Sequence, residues 1–95
     1  MIQLNVNKLT QFQKKLYPCI VKTINTLHEE NIEPSYSEIE KRVESDLMSI
    51  HGVDTQLALI NLTNNKVINI NDGVYSINNR NQEVVNKLLQ ICGDD

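Results

Sequence analysis

Ninety-five residues, 40% hydrophobic and 22% charged, are the material of one small globular domain with an aliphatic core, since the chain holds no Trp and few other aromatics. Twelve acidic against nine basic side chains leave a net charge of −3, which weighs against tight non-specific nucleic-acid binding. No apolar run approaches membrane-spanning length, and the two widely separated cysteines, Cys19 and Cys92, do not have the paired spacing of a zinc site.

Met1-Ile-Gln-Leu-Asn lacks a basic start followed by an apolar run, so the expectation is an intracellular protein with reduced thiols. Ile2, Leu4 and Val6 alternate with polar residues, as a short strand or an ordered arm would, the alternative being a frayed terminus. Residues 1–15 are expected to form an arm or short helix, with Leu9, Phe12 and Leu16 at helical spacing. Proline suits the first turn of a helix and disrupts an interior, so the first main helix is predicted to start near Pro18. Its apolar face is Ile20, Val21, Ile24 and Leu27, with Asn31 as a left-handed C-cap and Ile32 folding back behind it.

Ser35-Tyr-Ser-Glu38 reads as a capping box opening a second helix with the stripe Ile39, Val43 and Leu47. Its charged residues belong to a solvated face. Gly52 breaks the connector that follows, and a third helix is predicted from Asp54 to Asn64, capped by Asp54 or Thr55. Thr55, Ala58, Leu59 and Leu62 form one face of it; Val53, Leu57, Ile60 and Asn64 form nearly the opposite face.

Asp72-Gly73 is a two-residue hairpin turn, which pairs Asn71 with Val74, Ile70 with Tyr75, Asn69 with Ser76 and Ile68 with Ile77. Ile68, Ile70, Tyr75 and Ile77 then share the face that should cover the helices. After the polar joint Asn78–Asn81, Gln82 to Cys92 forms a last helix bearing Val84, Val85, Leu88, Leu89 and Ile91.

The expected architecture is therefore α+β, a three-helix bundle with a β-hairpin and an additional C-terminal helix. It comprises an arm over 1–15, a core over 16–79 and the last helix over 80–92. This order resembles a winged-helix domain. The spacing of Leu59, Leu62, Val67, Ile68, Asp72-Gly73 and Tyr75 is similar to a third-helix-to-wing passage. Pro34, Ile39 and Val43 resemble the proline, isoleucine and valine of the second helix in storkhead-box, atherin and MYST-acetyltransferase winged helices, with His51-Gly52 similar to their His-Gly. The resemblance implies the winged-helix fold, a nuclear setting and a role in chromatin or transcription.

Winged-helix relatives bind DNA with basic residues on the third helix or the wing. Here that helix has no Lys or Arg before Lys66. The expectation is a non-catalytic protein-interaction module, engaging a partner protein or a second copy through Val53, Leu57, Ile60, Val84 and Leu88. Alternatively, the last helix covers the outward stripe of the third. The competing function is sequence-specific DNA binding, in which Gln56, Asn61, Asn64 and Asn65 read bases and Lys66 and Arg80 contact phosphates, with Lys14, Lys15 and Lys22 adding charge. His28 and His51 suggest no nucleophile–base pair. No enzyme activity, cofactor, metal, membrane or small-molecule substrate is expected.

Overall fold

A computed structural model describes residues 4–48 and 50–93. Its architecture is α+β: four helices and one antiparallel hairpin. In chain order these are α1 (Gln11–Glu29), α2 (Tyr36–Leu47), α3 (Gly52–Asn64), β1 (Ile68–Asn71), β2 (Val74–Ile77) and α4 (Gln82–Gly93), with 3-10 turns at Val6–Lys8 and Asn79–Asn81.

Helix α1 starts seven residues before Pro18, not near it. Thr10 and Gln13 form a reciprocal capping box: the Gln13 N–H donates to Thr10 Oγ1 (3.1 Å) and the Thr10 N–H to Gln13 Oε1 (3.0 Å). That cap nucleates the helix a full turn and more before the proline, which sits buried in its interior. Proline has no N–H for the Lys14 carbonyl, a local cost of about 3 kcal/mol. Burial of Leu16, Tyr17, Ile20, Val21, Ile24 and Leu27 along the same helix offsets it. The expected division between residues 1–15 and 16–79 therefore falls inside one element.

The end of α1 follows local chemistry closely. Asn31 takes φ 61°, the Ile32 N–H donates to the Leu27 carbonyl (2.9 Å), and the Asn31 N–H donates to His28 (3.1 Å). This Schellman arrangement satisfies carbonyls that the helix leaves free. At α2, Ser35 Oγ accepts from the Glu38 N–H (3.3 Å). The Ser35 N–H donates instead to the Glu33 carbonyl (2.8 Å), so only half of the predicted capping box forms. Ile39 and Val43 are buried and Leu47 half-buried, as their spacing predicts.

Gly52 opens α3 rather than breaking the chain before it. Asp54 lies in the first turn, and its carboxylate accepts from the His51 N–H (2.9 Å) instead of capping from outside. Thr55, Ala58, Leu59 and Leu62 all face the core. The end of α3 repeats that of α1, with Lys66 at φ 63° and Val67 N–H bonded to Leu62 (3.0 Å).

The hairpin has the predicted register, Ile68 with Ile77, Asn69 with Ser76, Ile70 with Tyr75 and Asn71 with Val74. Asp72 and Gly73 both take positive φ (53° and 78°), as a type I′ turn requires. β2 gains a second neighbour on its other edge: Ser35 forms an isolated antiparallel bridge to Val74, and the Tyr75 N–H donates to the Pro34 carbonyl (2.8 Å). Ile68 is fully buried at the base of the hairpin, but Ile70 near its tip is half exposed, beyond the reach of the helices. Of the predicted apolar face, Ile68, Tyr75 and Ile77 pack on the core and Ile70 does not.

At the amino end Val6 is buried and Leu4 packs beside it, yet this segment is a 3-10 turn, not a strand. Ile2, the rest of that expected pattern, and the Cys92 side chain lie outside the described residues. Helix α4 packs against α1 and the Val6–Lys8 turn, with Val84, Val85 and Leu88 in the core.

Candidate interaction surface

Helix α3 is apolar on two sides, and the bundle buries only one. Thr55, Ala58, Leu59 and Leu62 point into the core; Val53, Leu57 and Ile60 are 57%, 59% and 50% exposed. Their spacing of four and three residues sets them in one stripe along the outside of the helix. Phe12 on α1, 44% exposed, borders a shallow groove that also touches Leu57 and Ala58. An exposed aliphatic row with an aromatic beside it is unusual on an isolated surface.

The two sides of that groove are fastened by a chain of side-chain hydrogen bonds. Asn61 Nδ2 and Gln13 Nε2 (3.3 Å) both donate to the Tyr17 hydroxyl, and Asn65 Nδ2 donates to Asn61 Oδ1 (2.9 Å) and to the Asn61 carbonyl (2.8 Å). The exposed stripe therefore rests on a helix held in place, not on a fraying one.

The expected protein-binding residues divide into two groups. Val53, Leu57 and Ile60 lie together on the surface. Val84 and Leu88 do not join them: they are 7% and 0% exposed, because α4 turns its apolar face onto α1. The alternative in which α4 covers the stripe of α3 fails for the same reason.

The residues expected to read nucleic acid are likewise scattered. Gln56 and Asn64 are exposed. Asn61 and Asn65 commit their amides to the Tyr17 network. Lys66 and Arg80 are brought to one corner below the hairpin, where Asn78 Nδ2 (2.7 Å) and Asn81 Nδ2 (3.3 Å) both donate to the Lys66 carbonyl. Lys66 there occupies the left-handed position that ends α3.

Near the start of α3 the Tyr36 hydroxyl donates to Glu40 and lies 3.3 Å from the Gly52 carbonyl. The hydrogen bond to the Glu40 carboxylate, with lesser help from burial, pushes the phenol from its ordinary 10.0 up to about 12. This joins α2 to α3 and presents no reactive group. His28 and His51 are exposed and far from acting as a pair: one is in the last turn of α1 and the other precedes α3. Among the described residues no cluster of His, Cys, Asp and Glu could hold a metal ion. Among them, too, no helix is long and apolar enough to cross a membrane.

Phe12 is the surface residue that sequence periodicity misses, because Leu9, Phe12 and Leu16 look like one buried stripe. Exposed Lys15, three residues further along the same side of the helix, was the available signal of an outward face. No protein-family model matches the chain, and no curated protein or solved structure matches it.

Proposed function

We propose that the chain is a winged-helix domain acting as a non-catalytic protein-interaction module, in a nuclear chromatin- or transcription-associated assembly. The winged-helix assignment is supported by the element order. Two helices flank the extended Pro34-Ser35 step, a third helix follows, and the hairpin returns so that Val74 bridges Ser35. The interaction role is carried by one observation: Val53, Leu57 and Ile60 are each at least half exposed on the helix that would enter DNA in a DNA-binding winged helix. Burying the exposed half of three such side chains in a partner would contribute a few kcal/mol, at about 1 kcal/mol each. Sequence-specific DNA binding has less support, since this face is apolar and two of its four base-reading candidates are engaged internally.

The test is sedimentation equilibrium of the purified chain, together with co-purification from nuclease-treated native extract. Self-association or a stoichiometric protein partner is expected, lost in the Leu57→Asp, Ile60→Asp double variant while the thermal unfolding midpoint stays close to wild type. An unchanged complex in a folded double variant would refute the assignment. A complex that nuclease abolishes would favour DNA.

A further inference from the structure

A second surface differs in chemistry from the outward stripe of α3. All twelve acidic side chains of the protein lie at or after Glu29, while the first 28 residues hold four lysines and no acid. Three of those lysines, Lys14, Lys15 and Lys22, line one groove of about 720 Å³. It runs along α1 and is closed on its far side by the end of α2 and by Ile50. Its floor and wall are apolar: buried Pro18, half-buried Leu47 and Ile50, and Phe12 at the rim.

Among the described residues none of the three lysines is in an ion pair. Among the described residues the ion pairs are Arg42–Glu30 and Lys87–Glu83, neither of which touches this groove. Among the described residues Asp46 is the only carboxylate on the lining, and it lies 3.9 Å from Cys19 Sγ. Three lysines in no ion pair among the described residues thus stand beside an apolar trough.

We propose that this groove binds an acidic amphipathic helical segment of a partner protein. Its apolar residues would seat on Pro18, Leu47 and Ile50 against the Phe12 ring, and its carboxylates would meet Lys14, Lys15 and Lys22. The stretch from Gln11 to Lys22 is 12 residues of helix, about 18 Å, which matches a ligand of roughly three turns. A phosphodiester backbone fits less well. It has no apolar side to bury in the trough formed by Pro18, Leu47 and Ile50.

The experiment titrates the whole protein with a fluorescein-labelled amphipathic peptide whose leucines repeat at helical spacing and whose flanks are glutamates. The same peptide with lysines for glutamates, and a single-stranded oligonucleotide of matched charge, are the comparators. The acidic peptide is expected to bind at least about tenfold tighter than its basic counterpart, and to weaken as salt screens the lysines. Lys14→Gln, Lys15→Gln, Lys22→Gln in one chain should lower its affinity about tenfold or more, and Ile50→Asp should do the same. Leu57→Asp should leave it unchanged, because Leu57 belongs to the other surface.

Equal binding of both peptides, or no loss in a folded triple variant, overturns the proposal. So does an oligonucleotide that binds tighter than the acidic peptide and loses affinity in the triple variant. Concentration-dependent self-association of the chain that the triple variant removes assigns the groove to a second copy and also overturns it. Loss of peptide binding in Leu57→Asp would place the peptide on α3, which refutes this site and leaves the α3 surface standing.

Discussion

Thr55 is fully buried on the core side of α3, and among the described residues its Oγ1 is the one buried side-chain polar atom without a hydrogen-bond partner. A hydroxyl left in that state costs about 1–3 kcal/mol. Thr55→Val keeps the shape and removes the hydroxyl, so it should stabilise the protein by about 1 kcal/mol, read as a higher urea midpoint. Tyr36 makes the opposite kind of contact. Its folded phenol is raised to about 12 by the bond to Glu40, above the 10.0 of the unfolded chain. The stability this provides is complete below pH 10 and lost as pH climbs through 12. Tyr36→Phe should therefore flatten that alkaline decline: thermal melts from pH 9 to 12 should show the wild-type midpoint falling faster than the variant's. Burial raises Tyr75 as well, so the tyrosinate absorbance of Tyr36 and Tyr75 should appear late in an alkaline titration.

At the scale of the element, α1 carries the clearest conflict between local preference and outcome. Its capping box and apolar face call for one helix, and Pro18 opposes it from within. Pro18→Ala restores the N–H to the Lys14 carbonyl and relieves the ring's clash with the preceding turn. A gain of about 1–3 kcal/mol is expected, reduced by the packing the buried ring supplies. A loss of stability on chemical denaturation would mean that packing outweighs the missing bond. The hairpin is the reverse case, because every local signal agrees with it. Asp72 and Gly73 supply the positive φ, the alternation selects the register, and the extended Pro34-Ser35 step then closes on its edge. Caps were legible for the same reason: Asn31 and Ile32 act within one turn of residues they touch. Where neighbours compete, the local code gives out. Glu38 is offered a Ser35 N–H already bonded to Glu33, and Gly52 is drawn into α3 because Asp54 caps from inside.

Across the whole molecule the described chain is as compact as its size allows. The radius of gyration is 12.1 Å, against about 12.4 Å expected for a globular domain of this length. The exposure of Val53, Leu57 and Ile60 is thus not a sign of loose packing. It follows from a choice among apolar faces, in which α4 covers α1 and leaves the outer side of α3 open. Two substitutions separate the faces. Leu88→Ala empties a fully buried position between helices and should cost about 2–5 kcal/mol. Leu57→Asp should change stability by less than about 0.5 kcal/mol, since the side chain faces solvent. Equal losses on denaturant unfolding would show that α3's outer stripe is packed after all.

Features governed by a few neighbouring residues could be read from the chain alone: the hairpin register, the left-handed exit of α1 at Asn31, and the buried stripes of α2 and α3. Each depends on turn chemistry or on a period, and both are complete within one element. The tertiary structure decided the rest. It placed Pro18 inside a helix, put Val84 and Leu88 in the core and left Phe12, Leu57 and Ile60 outside. These outcomes depend on which apolar surfaces meet when more are offered than one small core can bury, and that competition is settled by the area and shape of all four helices together.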